Sequence, residues 1–192
     1  MKTACALLFA AVAAAGPIRA IPPGTTFDPL PDAPLNFTAT ALYVGGDLGF
    51  PINANDKRFW IGKDTRTFSE EQDKQANTDK TIFSFAEGTG QLNLDVNVPG
   101  GQRVYVRDDG QLRFVEAHRL RTDGHATFTG FEIGDGALLK FEAQDWIMCP
   151  KEYGSSEFKV WAASRVQDLK EGCVRFEWQN DYTRYPEAWA YY

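Results

Sequence analysis

The chain has 192 residues, of which 43% are hydrophobic and 14% aromatic, so it can bury a core and is neither disordered nor fibrous. Its 20 Lys and Arg stand against 26 Asp and Glu, a formal net charge of −6, which argues against binding to nucleic-acid backbones or anionic membranes. With two His and three Cys, the sequence lacks the spacings of zinc fingers and metalloproteases, and we expect no metal and no cofactor.

The first twenty residues predict a secretory signal peptide. Lys2 precedes an apolar run from Ala4 to Ala15, and small residues follow up to Ala20. The run is shorter than the roughly 20 apolar residues that a membrane-spanning helix needs. We expect cleavage after Ala20, with Ala15 as the competing site, and export of a protein with no membrane anchor.

Export determines how the cysteines are interpreted. Cys5 leaves with the signal peptide, whereas Cys149 and Cys173 remain in an oxidising compartment, where a pair of cysteines forms a disulfide more often than it stays as two buried thiols. The sequon that begins at Asn36 predicts an N-linked glycan on that residue.

Residues 21–36 are rich in proline and predict an extended leader, because proline removes a backbone donor and blocks helices. The domain proper is predicted over residues 37–183, where short apolar segments alternate with polar positions and end at glycine-containing turns. This pattern is typical of antiparallel hairpins. We predict an all-β domain of about twelve short strands.

A weak internal repeat favours one all-β architecture. An apolar segment, a glycine-containing turn and a Leu-x-apolar segment recur around residues 85–94, 104–114 and 131–141. Three such copies favour a β-trefoil, in which closure removes exposed strand edges, and a two-sheet sandwich is the alternative.

Two segments do not fit the strand pattern. The charged segment from Asp64 to Lys80 predicts a solvated loop, with a short helix at Ser69–Gln72 as the alternative. A single helical turn is predicted at Val166–Leu169.

Catalytic signatures are missing from the sequence. It contains no Gly-x-Ser-x-Gly elbow, and the paired cysteines leave no thiol for a Cys-His site. His118 and His125 share one loop with Asp123, where solvated histidines are more common than a metal site. We therefore predict a non-enzymatic protein; a small secreted carbohydrate-active enzyme would need paired carboxylates in a groove.

The C-terminal segment 184–192 and the residues just before it are dense in aromatic side chains. We predict that these rings stack on sugars or on a protein partner, and that deleting residues 184–192 leaves folding intact. The alternative is a segment that folds back over one end of the domain. The candidate binding residues are Tyr182, Tyr185, Trp189, Tyr191 and Tyr192.

Several segments together resemble a known family. The resemblance runs from about Phe37 to Thr183 and is carried by FTATALYV, FPINANDKRFWIG, GALLKFEAQDWIMCP, FKVWAA and GCVRFEWQNDYT. It is to the fungal secreted cell-wall proteins typified by the phialide protein PhiA, also described as IgE-binding cell-wall antigens. By this resemblance, Cys149 and Cys173 match the family's disulfide positions, whereas the additional cysteines that many members carry before Ile82 are missing here.

The resemblance implies a secreted, non-enzymatic protein of the fungal cell wall or extracellular matrix, with a structural or developmental role. The expected partners are cell-wall polysaccharide or wall proteins. A lectin-like carbohydrate-binding module and a secreted host-directed effector are the alternatives. The family contributes no catalytic residue.

Overall fold

The computed structural model describes residues 35–43, 48–68, 75–78, 80–119, 121–183 and 188–192, with only the backbone described over 75–78. The elements in these ranges are β-strands and two short 3₁₀ turns, at Asp135–Ala137 and Ala163–Arg165. The strands are β1 Leu35–Tyr43, β2 Gly49–Asn55, β3 Arg58–Ile61, β4 Thr65–Phe68, β5 Gln75–Thr78, β6 Phe83–Ala86, β7 Gln91–Leu94, β8 Gln102–Arg107, β9 Leu112–Phe114, β10 Ala126–Thr127, β11 Phe131–Gly134, β12 Leu138–Phe141, β13 Trp146–Pro150, β14 Phe158–Ala162, β15 Val174–Tyr182 and β16 Ala190–Tyr191.

Six strands are linked in a closed ring. The antiparallel pairs β1–β6, β6–β7, β11–β12, β12–β15 and β15–β1 form five of its links. The sixth link joins the start of β11 to the start of β7, where the Phe131 amide donates to the Gly90 carbonyl over 3.2 Å. A ring of this kind leaves few unpaired strand edges.

Three hairpins lie outside the ring and pair with one another. They are β2–β3, β8–β9 and β13–β14. β3 pairs with β9 at Arg58 and Arg113 and with β14 at Ile61 and Phe158, while a bridge between Gln111 and Trp161 joins β9 to β14. Each hairpin thus contacts the other two, in a pattern that repeats three times along the chain.

The prediction of an all-β, hairpin-rich domain is confirmed. Thirteen strands belong to one antiparallel sheet, and β4, β5 and β16 form a second, three-stranded sheet. The closed ring and the three mutually paired hairpins follow the scheme of the favoured trefoil rather than that of two stacked sheets with separate edges. Among the described residues, no helix is long and apolar enough to cross a membrane.

The core consists of side chains on the inward faces of the ring. Along β15, Phe176, Trp178 and Asn180 are buried and alternate with more exposed neighbours, as period-two strand geometry requires. Trp178 contacts the rings of Phe83 and Trp146, each with a 5.2 Å centroid distance. Such edge and tilted contacts add to the free energy of burying the rings themselves.

Two local predictions were wrong. The segment from Asp64 to Lys80, predicted as a loop, contains β4 and β5, which pair in register from Thr65–Thr78 to Phe68–Gln75. The helical turn predicted at Val166–Leu169 lies earlier, at Ala163–Arg165. The alternative helix at Ser69–Gln72, the signal peptide and leader residues 21–34 lie outside the described residues, and β1 begins two residues before the predicted domain start.

The C-terminal residues are part of the fold, contrary to the expectation of a separable tail. β16 pairs with β4, and the amides of Asn97 and Val98 donate to the carbonyls of residues 188 and 189 over 2.9 and 3.0 Å. The Gln102 side chain donates to the Tyr191 carbonyl over 2.9 Å and accepts from the Tyr191 amide over 2.6 Å. The structure shows the alternative stated for this segment, in which it folds back over the domain.

The disulfide between Cys149 and Cys173 is present, with 4.2 Å between the two Cα atoms. It joins the end of β13 to the residue before β15. The two strands also pair directly, from Trp146–Phe176 to Met148–Val174. The predicted pairing of these cysteines is therefore confirmed.

Gln102→Ala should lower the free energy of unfolding by about 2–3 kcal/mol, since it leaves buried backbone groups of Tyr191 without their partner. Chemical denaturation of the variant measures the loss, and Gln167→Ala, at an exposed position, is the matched control. Equal stability of the two variants would contradict the contribution of this side chain.

Replacing both Cys149 and Cys173 by Ala should lower the free energy of unfolding by about 3 kcal/mol, within the usual range of about 2–5, because the bond closes a loop with a sequence separation of 24. Denaturation with and without reductant provides the comparison. The double variant should be insensitive to reductant, whereas the native chain should lose a similar amount of stability on reduction.

Candidate functional site

A cavity lies beside Tyr182, and we call it the Tyr182 pocket. It has a volume of about 750 Å³. Its lining is drawn from β1, β2, the residues before β6 and the end of β15. The residues that line it are Thr38, Ala39, Thr40, Pro51, Ile52, Asn53, Lys80, Thr81, Asp181, Tyr182 and Thr183.

Polar groups in the Tyr182 pocket are held by neighbouring strands. The Thr40 hydroxyl donates to Asp181 Oδ2 over 2.8 Å, which fixes one carboxylate oxygen at the pocket wall. Tyr182 is 54% exposed, and its ring meets that of Phe37 edge-on at 6.3 Å. Burial raises the pKa of Tyr182, as does the charge of Glu87, so its hydroxyl stays protonated at neutral pH.

A smaller cavity lies between β4, the residues after β9 and the C-terminal segment. This Tyr192 pocket has a volume of about 290 Å³, and its lining includes Trp189, Tyr192 and His118. Tyr192 is 41% exposed and meets the ring of Phe68 edge-on at 5.6 Å. Four aromatic side chains and one histidine therefore line one small cavity.

The four predicted binding residues that the structure describes do not form a single row of rings. Tyr182 lines one pocket, whereas Trp189, Tyr191 and Tyr192 line another. Of these residues, Tyr191 is only 3% exposed and belongs to the core, and its hydroxyl oxygen accepts the Ile82 amide over 3.0 Å. A stacking role for these residues stays a prediction. Tyr185 lies outside the described residues.

Asn36 lies within β1 and is half-buried. Its Nδ2 atom, to which a glycan would be attached, donates to Asp95 Oδ2 over 3.0 Å. Glycosylation at Asn36 stays a prediction.

Several carboxylates on the surface are paired with cations. Hydrogen bonding to Lys57 is the largest cause that lowers the pKa of Glu116, and hydrogen bonding to Arg165 does the same for Glu142. Asp123 accepts from Arg107 over 3.1 Å and from Arg113 over 2.5 Å. Within the described ranges, no three His, Cys, Asp or Glu side chains lie close enough to hold a metal ion.

Comparison with known proteins places these features in a family. The model of the family described as "PhiA-like secreted protein" matches residues 37–192 and so includes the C-terminal segment, which the sequence resemblance had left out beyond Thr183. The chain is 32% identical over 139 residues to a protein of Arthroderma benhamiae described as "Uncharacterized secreted protein". That match covers 70% of this chain and 62% of the relative's length. No solved structure matches the chain.

The stability contributed by Tyr191 should depend on pH. Burial raises the pKa of Tyr191 to about 12, above the value of 10.0 for the free side chain. Its contribution is complete below pH 10 and is lost as the pH rises towards 12, because the unfolded chain then gives up a proton that the folded chain retains. The full loss amounts to about 2–3 kcal/mol.

The measurement is the difference in unfolding free energy between the native chain and Tyr191→Phe. It should shrink by about 1 kcal/mol between pH 8 and pH 11. A difference that stays constant over this range would contradict the assignment.

Proposed function

Since the chain belongs to the family of PhiA-like secreted proteins, we propose that it is a non-enzymatic protein of the fungal cell wall or extracellular matrix that is held there by a neutral polysaccharide. The observation that supports this most directly is the Tyr182 pocket. There, a half-exposed aromatic ring adjoins a cavity of about 750 Å³ with hydroxyl, amide and carboxylate groups in its lining.

The pocket chemistry suits a sugar. The ring of Tyr182 offers an apolar face for the C–H side of a pyranose, and its hydroxyl offers a polar edge. Thr38, Asn53 and Asp181 add side-chain groups that can exchange hydrogen bonds with sugar hydroxyls. The volume lies in the range of ordinary ligand pockets, which is about 300–1,000 Å³.

Charge favours a neutral polymer at this surface. The formal net charge of −6 repels anionic polysaccharides at long range. Within the pocket, Asp181 carries a negative charge and Lys80 a positive one, so the lining has no strong preference for a charged sugar.

A non-enzymatic role is supported by the bonding of the two cysteines and by the pKa values of two glutamates. Cys149 and Cys173 are bonded to each other, so neither is a free nucleophile. A glycosidase general acid needs a raised pKa, whereas the pKa values of Glu116 and Glu142 are lowered by their cationic partners.

A lectin-like role, with no structural contribution to the wall, is the second candidate. The Tyr192 pocket favours it, because a second aromatic opening would let one molecule bind two sugar segments. Two weak sites joined in one protein raise the overall affinity through effective concentration.

Tyr182→Ala should weaken sedimentation with insoluble fungal cell-wall polysaccharide by about 1–2 kcal/mol, or roughly five- to thirtyfold, because it removes the half-exposed ring at the pocket. Tyr153→Ala is the matched control, since Tyr153 is 96% exposed and does not line the Tyr182 pocket. Both variants should keep the thermal midpoint of the native chain to within a few degrees.

Unchanged sedimentation of the Tyr182→Ala variant would rule out this pocket as the contact. Trp189→Ala and Tyr192→Ala would then test the Tyr192 pocket by the same assay. Loss of binding in the Tyr153→Ala control would indicate non-specific adsorption instead.

A further inference from the structure

A third cavity, of about 620 Å³, lies beside the disulfide, and we call it the disulfide pocket. Its lining comes from the end of β13, the start of β14 and the segment between the second 3₁₀ turn and β15. The charged side chains in this lining are Lys151, Lys159, Arg165 and Lys170, together with Asp109. Four positive charges and one negative charge give the lining a formal charge of +3, whereas the whole chain carries −6.

Some of these charges already have partners. Lys151 pairs with Glu157 at 3.2 Å, and Arg165 pairs with Glu142. Asp109 Oδ1 accepts the Gln111 amide over 3.2 Å and lies 3.3 Å from Arg107 Nε. Asp109, the acidic residue of the lining, therefore interacts with Gln111 and Arg107 and not with the lysines of the pocket.

Two lysines are left over. Within the part of the chain that the structure describes, neither Lys159 nor Lys170 lies within 4.0 Å of a carboxylate oxygen. Lys159 is partly buried, and its ammonium nitrogen lies 5.3 Å from the centroid of the Trp60 ring. It therefore has an aromatic support and, among the described residues, no carboxylate oxygen within 4.0 Å.

The surroundings of Lys159 carry an excess of positive charge. Burial is the largest cause that lowers its pKa, and the charges of Arg58, Lys151 and Arg113 lower it further, with Asp56 opposing them. An anion in the cavity would be attracted by the same charges.

The cavity also has an apolar wall. Trp161, Pro150 and Val166 line it alongside the lysines. A ligand that presents both a charged group and an apolar ring face would use both parts of this lining.

We propose that the disulfide pocket binds an acidic saccharide, that is, a sugar carrying a carboxylate. Lys159 and Lys170 receive the carboxylate, and the Trp161 ring packs against the sugar. The site is separate from the Tyr182 pocket and takes a different class of ligand, so it goes beyond the proposed function. The bond between Cys149 and Cys173 tethers the segment carrying Lys170 to β13, which holds the two lysines at one cavity.

The test is isothermal titration of the full mature protein with a galacturonic acid trisaccharide at about 20 mM and about 150 mM salt. The trisaccharide should bind, and more weakly at the higher salt, where the screening length falls to about 8 Å. A neutral glucose trisaccharide of the same length should give at least tenfold weaker binding. Absence of binding by the acidic trisaccharide at low salt would overturn the proposal.

Variants locate the site. Lys159→Gln combined with Lys170→Gln should weaken binding at least tenfold, while Lys140→Gln, which removes one positive charge outside the pocket, should leave it within twofold. Equal weakening by the Lys140 change would show a general charge effect and overturn the proposal. Lys170→Gln alone, at an exposed residue, provides the same comparison if the double variant does not fold.

Two further measurements test whether the sugar ring contributes to binding and whether the Tyr182 pocket is involved. Inorganic phosphate should bind at least tenfold more weakly than the trisaccharide, and equal binding would overturn the role of the sugar ring. Tyr182→Ala should leave the binding unchanged, so that failure of this proposal and failure of the neutral-polysaccharide proposal remain distinguishable.

Discussion

The pairing of β1 with β15 is the constraint on which the rest of the domain depends. Its register runs from Phe37–Tyr182 to Tyr43–Phe176. On its other edge β1 pairs with both β6 and β2, and β15 pairs with both β12 and β13. These two strands therefore join the closed ring to two of the three hairpins, and their inward side chains, Phe37 and Trp178 among them, lie in the core. Both the Tyr182 pocket and the disulfide pocket are built on strands that this pairing positions.

The structural elements that could be predicted from the sequence are those whose signal lies within a few neighbouring residues. The hairpins could be predicted because turn glycines such as Gly110, with a φ of +89°, mark them directly. Strands β4 and β5 could not, since the segment is charged and β4 is completed by β16, more than a hundred residues later. The docking of the C-terminal segment was hidden for a similar reason. It rests on Gln102, a polar residue whose side chain takes the place of a strand neighbour.

The candidate sites show the same limit. Aromatic density near the C-terminus indicated binding residues, and Tyr182 does line a cavity of about 750 Å³, yet Tyr191 is buried. The lysines of the disulfide pocket are spread along the chain and separated by acids, so no charge run reveals them. Only the disulfide that was expected from secretion gives a hint, since it ties the Lys170 segment to β13.

The long reach of the β1–β15 pairing also affects how the protein is made. The last partner of β1 is encoded some 130 residues after β1 itself, and synthesis proceeds at about 5–20 residues per second. The growing chain therefore spends roughly 7–25 s with the β15 edge of its first strand unpaired. During that interval, the backbone amides and carbonyls along that edge lack their native partners and can pair with chaperones or with neighbouring nascent chains. The rate of elongation and the supply of chaperones in the export pathway thus become determinants of yield for this fold.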